Sequence, residues 1–557
     1  MAEASYGRTA SGQQILILKE GTSQSRGRQA QSNNIMAAKL IAEVVRSTLG
    51  PRGMDKMLLD SMGDVTITND GATILKDIDV QHPSAKMIVE ISKTIDNEVG
   101  DGTTSAVVLA GALLGNAEEL INKGVHPIVI VDGYRKAAAQ AQKILNKISI
   151  KVQPTDTATL TKVARTSMAS KLVSSESAAL AALLVDALIQ VAEKTEEDKY
   201  KVDVDNVKVE KKAGASLKDT QLVKGVILDK EVVHSGMPKR VEKAKIALVS
   251  SPLEIEKTEF DAKININNPE QIKLFLDEET RMLKDMVEKI SDSGANVLVC
   301  QKGIDDVAQH YLARAGILSV RRAKESDMTK LAKATGARVV TGLDGLSKDD
   351  LGQAGLVEER KVEEDKWVFV EGCKNPKAVT VLIRGGSQRV VDEAERSIHD
   401  AIMVIKDVLE KPAIVGGGGA VEEELSHQLR EWSSTLPGRE QLAAQKYAEA
   451  LESIPLALAE NAGFDPIDIQ VELREKHGAG KVWYGVDVLG NGVQDLYNKD
   501  IIEPASVKEQ IIMSATECTC MILRIDDVIA GSKMKTPPMP PGGGGMGGMG
   551  GGMGGME

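Results

Sequence analysis

The chain has 557 residues, more than one hydrophobic core usually holds, so several domains are expected. A formal net charge of -12 argues against nucleic acid as the main partner, and 42% apolar but only 3% aromatic content points to helix-rich cores of Ala, Val, Ile, Leu and Met. Four cysteines, none in a CxxC pair, make neither a disulfide framework nor a zinc site, which fits a reducing cytoplasm.

Residues 1–33 are polar apart from Ile15 to Leu18, which reads as a short strand in an arm. That run is too short for a secretory signal, and no uncharged apolar stretch reaches membrane-spanning length, so a soluble cytoplasmic protein with no membrane partner is expected. Ser32 or Asn33 caps a helix with apolar positions Ile35, Met36, Leu40, Ile41, Val44 and Val45, which stops at Leu49-Gly50-Pro51. Val65 to Thr68 reads as a strand and Asn69-Asp70-Gly71 as its turn.

The stretch Gly100-Asp101-Gly102-Thr103-Thr104-Ser105 precedes a run of good helix formers, Ala106 to Leu120. Its glycines allow tight turns and close approach of a ligand, and a starting helix has free N–H groups, so the stretch suits an anion. Asp101 would repel a phosphate unless a divalent cation lay between, and magnesium takes such a mixture of carboxylate, phosphate and water oxygens. An ordinary Asp-Gly turn with a Thr cap is the competing reading. The long helix ends at Gly124, and Pro127 opens another towards Ile148.

Residues 155–195 are helical and alanine-rich, and Tyr200 to Lys212 alternates like a strand. From Asp219 to Gly372, apolar runs at Ile246 to Val249, Val297 to Cys300 and Arg338 to Thr341 alternate with helical stretches, as in an α/β unit. Within it, Asn268-Pro269-Glu270-Gln271 is a helix start. Val379 to Ile383 is a further strand, and Ser387 to about Glu410 a strongly amphipathic helix. Gly416 to Gly419 opens another helix at Val421, and Met521 to Ile525 reads as a closing strand, with Cys518 and Cys520 on one face and no role assigned. From Pro537 the chain is almost only Pro, Gly and Met, which makes a tail without a core. Glycine loops near residues 50, 70, 101 and 417 thus flank a different central segment, and one nucleotide site assembled from both ends would account for them. No GxxxxGK[ST] sequence is present.

Leu49 to Lys56 (LGPRGMDK), Thr68 to Thr73 (TNDGAT), Gly100 to Ser105 (GDGTTS), Arg384-Gly-Gly386, Glu395 to Asp400 (ERSIHD) and Gly417 to Ala420 (GGGA) together resemble the group II chaperonins, archaeal thermosome subunits above all. The similarity runs from about Ile15 to Ile529. It implies a multidomain α/β chaperonin fold: a mostly helical, discontinuous equatorial domain (1–147 and 404–530), a small α+β intermediate domain (148–217 and 371–403), an α/β apical domain (218–370) with a helical lid protrusion near 250–281, and a tail (531–557). It implies ATP and Mg2+ as cofactors, hydrolysis of ATP, and a stacked double ring of identical or paralogous subunits. Unfolded protein would be enclosed without a separate co-chaperonin.

Position by position, the resemblance places Gly50, Pro51, Gly102, Thr103, Thr104 and Ser105 around the phosphates, with Leu49 and Gly71 also in the nucleotide site. It places Asp101 on magnesium and Gly417 and Gly418 against the nucleotide, with Asp487 and Glu503 near adenine and ribose. Asp70 and Asp400 would orient the attacking water, and Lys171 would sense the γ-phosphate. Read without the resemblance, Asp400 is a solvated helix carboxylate and Lys171 a surface lysine. A magnesium-dependent small-molecule kinase is one competing function; it leaves the central protrusion and tail unexplained, and transfer of phosphate to a metabolite would favour it. A structural ring or filament protein that binds nucleotide only to assemble is another. Assembly without turnover would favour that reading, and the presence of both Asp70 and Asp400 argues against it.

Overall fold

The computed structural model describes residues 5–8, 14–17, 23–59, 62–197, 199–255, 269–374 and 376–530. The chain falls into two compact units, residues 1–33 with 525–557, and residues 34–524. In the first unit Ser5–Arg8 pairs antiparallel with Gln14–Ile17, and Ser23–Arg26 with Asp527–Ala530. The tail after residue 530 lies outside the described residues.

The second unit contains three large cores. The first joins the two ends of the chain: helices Pro83–Val99, Thr103–Asn122 and Pro127–Ile148 pack with Ala420–Ser433, Gly438–Leu451 and Ala505–Leu523. Its side chains are mostly Ala, Leu, Ile and Val. Tyr134 meets Tyr447 edge-on with ring centroids 5.4 Å apart, and donates its hydroxyl to the Leu113 carbonyl at 2.9 Å. Each fully buried Leu or Ile contributes about 1.5–3 kcal/mol, so this core is what fixes residues hundreds of positions apart in one frame.

The second core belongs to a seven-stranded mixed sheet, ordered Gly225–Leu228, Asp365–Glu371, Gly352–Val362, Arg240–Val249, Val297–Cys300, Leu318–Val320, with Val339–Val340 beside Arg240–Val249. Helices Pro269–Asp292, Asp306–Arg314 and Glu325–Thr335 cover it. The third core lies between helices Thr157–Met168, Ser177–Val191 and Gln388–Glu410 and the parallel strands Val207–Ala213 and Val379–Gly385. It continues along the last helix through Val408 and Leu409, and includes Ile414 and Ile502.

Several sequence expectations need correction. Met521–Ile525 is not a strand: Ala505–Leu523 is one helix, buried on most sides, and the closing strand is Asp527–Ala530. A four-residue apolar run does not distinguish strand from helix, and the continuous burial of this helix erased its periodicity. Cys518 and Cys520 are therefore buried helix residues. The first helix starts at Gly27, and its buried face is Ile35, Ala38, Ala42 and Val45, while Met36, Leu40 and Val44 are exposed. Of the six apolar positions expected to be inward, Ile35 and Val45 are core and Ile41 packs against it, while alanines fill the rest of the buried face. Val204–Asn206 is a 3-10 turn, and only Val207–Ala213 extends as a full strand. The hairpin strand Lys56–Leu59, paired with Val65–Thr68, was not foreseen.

Two stretches, Thr103–Asn122 and Leu172–Val191, are after all long and apolar enough to cross a membrane by composition. The first is a core helix, most of whose residues pack into the first core. Of the expected protrusion, residues 256–268, Phe260 included, lie outside the described residues. Leu253 is fully buried and bridges Ile304, so it belongs to the sheet core, whereas Phe275 is 46% exposed.

Candidate nucleotide site

Gly100 ends the Pro83–Val99 helix at φ 70°, and Gly102 caps the next helix at φ 81°, both left-handed conformations that glycine adopts without strain. Between them Asp101 turns its carboxylate back, one oxygen accepting from the Gly102 N–H at 2.7 Å. No side chain caps the Thr103–Asn122 helix, so its first N–H groups remain available to an anion. A Cβ on Gly102 would stand 2.6 Å from Ile511, so both space and backbone angle demand glycine.

This helix start opens on a cleft of about 750 Å³. Leu49, Gly50, Pro51, Asp101, Gly102 and Ser105 line it from the N-terminal part of the chain. Gly418, Asp487 and Glu503 line it from the C-terminal part. Two small structures deliver those last residues. Glu503 lies opposite Val415 in a three-stranded sheet of Ile502–Pro504, Ala413–Gly416 and Ile150–Lys151. Asp487 ends the Tyr484–Asp487 strand of a hairpin, and Val486 bonds back to the Gly418 carbonyl. Gly417 is not on the cleft wall; it faces Glu503, whose carboxylate a Cβ would meet at 2.7 Å.

Gly71 and the buried hydroxyl side chains of Thr103 and Thr104 also stand behind the wall. A Cβ on Gly71 would be 2.5 Å from the Thr104 hydroxyl, so the short Gly71–Asp77 helix sits against the start of Thr103–Asn122. Asp70 caps that short helix, accepting from the N–H groups of Ala72 and Thr73 and from the Thr73 hydroxyl at 2.7 Å. The amphipathic helix Gln388–Glu410 covers the loop from the other side: a Cβ on Gly100 would be 3.6 Å from the Asp400 Cα. Asp400 is buried and ion-paired with the equally buried Lys171. Neither the solvated carboxylate nor the surface lysine of the simplest sequence reading exists here. Asn69 donates to the Ser170 carbonyl, which ties the strand–helix turn to the segment carrying Lys171.

Sequence reasoning missed Asp96, one turn before the glycine loop. Burial, then the nearby Asp70 charge, push its carboxyl up from the usual carboxylate range, while His399, Lys171 and Lys76 oppose the rise. It missed Lys508 as well, which is buried and bonds Glu422 at 2.8 Å and Glu503 at 2.6 Å. Those two carboxylates raise the Lys508 ammonium despite its desolvation, and burial raises Glu503. Both sit in helices whose polar residues look solvated in the sequence, so no local pattern marked them.

The glycine loop also leads into three consecutive buried glutamates, where the helix N-terminus favours negative charge. Glu422 takes Lys508 and Glu424 takes His477 at 2.6 Å, but one Glu423 oxygen has no partner among the described residues. Burial, then the Glu452 charge, raises the Glu423 carboxyl to about 7. A carboxyl raised in the folded state keeps a proton that the unfolded chain releases, so stability falls between pH ~4.5 and ~7 and the full penalty persists above. Glu423→Gln should therefore raise the denaturant-derived stability at pH 8 by about 2–3 kcal/mol and leave it nearly unchanged at pH 4. Equal gains at both pH values would remove charge burial as the cause.

Among the described residues no three His, Cys, Asp or Glu side chains converge on a metal position. A lone carboxylate with a free oxygen, at the mouth of an anion-binding helix start, nevertheless fits magnesium that arrives with phosphate oxygens and water.

A sequence profile of the TCP-1/cpn60 chaperonin family matches residues 41–533. The thermosome subunit alpha of Archaeoglobus fulgidus is 57% identical over 96% of this chain and 98% of its own. The thermosome subunit of Methanopyrus kandleri is 57% identical over 94% and 96%. A solved structure, the open-state monomer of a group II chaperonin from Methanococcoides burtonii, shares 47% identity, covers 77% of this chain and 100% of its own, and superposes with a TM-score of 0.58. The chain belongs to the TCP-1/cpn60 chaperonin family, as a group II chaperonin similar along nearly its whole length to archaeal thermosome subunits.

Proposed function

We propose that this chaperonin binds ATP in the cleft between the two ends of its chain and hydrolyses it there, and that it encloses non-native protein in a cytoplasmic double ring of like subunits. The observation that carries the reading is the meeting of an uncapped helix start and Asp101 with the buried Lys171–Asp400 pair. The first core is the nucleotide-binding domain, the third the intermediate domain, and the sheet core the substrate-binding domain.

In this reading the N–H groups of Thr103 to Ser105 hold phosphate oxygens, Gly50 and Pro51 close over them, and Asp487 and Glu503 flank the nucleoside. Asp101 would hold magnesium, which neutralises charge on the phosphates when bound. Asp400 and Asp70 orient water, and the Lys171 ammonium next to Asp400 offers a cation where charge develops. Because Lys171 and Asp400 come from a core other than the one that holds the glycine loop, hydrolysis requires the two to be in register. A site that used nucleotide only for assembly would have no need of a buried acid–base pair beside its loop.

Asp101→Ala tests the metal side. Calorimetric titration with ATP should show magnesium strengthening binding to the wild type about tenfold or more and doing little for the variant. Equal magnesium dependence in both would place the cation elsewhere.

A further inference from the structure

The charged residues of the cleft wall sort themselves into pairs. Lys499 bonds Asp487 at 2.5 Å, Lys162 bonds Asp500 at 2.7 Å, and Lys508 bonds Glu503 at 2.6 Å. Two charged residues on that wall have no ion-pair partner among the described residues, Asp101 and Arg165. Asp101 is accounted for above by the metal. Arg165 lies in the last turn of Thr157–Met168, three residues after Lys162 and on the segment that continues to Lys171. It is exposed, while Thr166 beside it accepts from the Ile502 N–H and so anchors this helix end to the strand that carries Glu503.

We propose that Arg165 is a nucleotide-binding residue: its guanidinium takes an oxygen of the bound nucleotide's phosphate chain and supplies a positive charge on the cleft wall that no carboxylate neutralises. The charges support this. Once the three pairs are set aside the wall carries one acid and one base, and a metal-bound triphosphate brings one cation for the acid and surplus negative charge for the base. Arg165 lines the same cleft as Asp101 and Gly102, and its planar guanidinium matches the geometry of phosphate oxygens. The consequence is that the Thr157–Met168 helix senses bound nucleotide at two points, Arg165 and Lys171, rather than at the lysine alone.

This inference rests on the nucleotide reading, and the test separates the two. ATP binding by calorimetry and steady-state hydrolysis would be measured on the assembled full chain for wild type, Arg165→Ala and Arg165→Lys. Arg165→Ala should lower kcat/KM about tenfold, chiefly through KM, with weaker binding to match. Arg165→Lys should recover most of the loss, which a merely structural role for the side chain would not predict. The loss should shrink as salt is raised, because the contact is exposed. Wild-type affinity and KM in Arg165→Ala would overturn the inference alone. Absence of ATP binding by the wild type would overturn the nucleotide reading and this inference with it.

Discussion

Asp400→Asn should bind Mg-ATP with near wild-type affinity and hydrolyse it about a hundredfold or more slowly. The asparagine fills the same buried volume beneath Gly100 and still accepts from Lys171, so the loop geometry survives. What is lost is the negative charge that draws a proton from attacking water, a contribution of about 10²–10⁴ in rate. Because Asp400 and Lys171 are paired and buried together, their effects should not add. Lys171→Met in the Asp400→Asn background should cost less than it does alone, since the first change has already removed the negative half of the ion pair and left only a neutral hydrogen bond. Single-turnover hydrolysis with pre-bound nucleotide separates this from any change in affinity. Wild-type turnover in Asp400→Asn would remove it from the water-orienting role.

Lys508→Met should be the most destabilising substitution at the cleft. Removal of the ammonium strands the buried Glu422 and leaves Glu503 unpaired on the cleft wall, and loss of one partner from a buried ion pair costs about 3–5 kcal/mol. Burial already raises Glu503 with its partner present, so without Lys508 that acid should hold its proton to still higher pH. The deficit should therefore be largest above neutrality and should fade as pH drops below about 5. Denaturant midpoints of variant and wild type at pH 8 and pH 5 would show this. A deficit independent of pH would mean that lost packing, not stranded charge, is responsible.

The legibility of this protein in its sequence followed the range of the interactions involved. Gly100, Gly102 and Gly124 mark turns through backbone angle, a local property, and the elements beside them were readable to within a residue or two. Pro127–Ile148 and the bounds of Gln388–Glu410, expected from Ser387 to about Glu410, were readable for the same reason. The Ala505–Leu523 helix was not, because burial on most sides leaves no amphipathic period to read. The site divides likewise. Its glycine loops announce themselves, whereas Asp400 and Lys171 become a site only through folding that joins positions 171 and 400. Their roles rested on resemblance to a family, and chemistry alone read both as surface charges. Lys508, Asp96 and Arg165 belong to no local motif, and their significance comes from partners, or the absence of one, across the fold.

The most direct test of the central claim is an electron cryo-microscopy map of the assembled protein with magnesium and a hydrolysis-resistant ATP analogue. The account predicts phosphate density on the N–H groups of Thr103 to Ser105, a metal on Asp101, and the nucleoside between Gly418, Asp487 and Glu503. Nucleotide density in any other cleft, or an empty one here at saturating analogue, would contradict it.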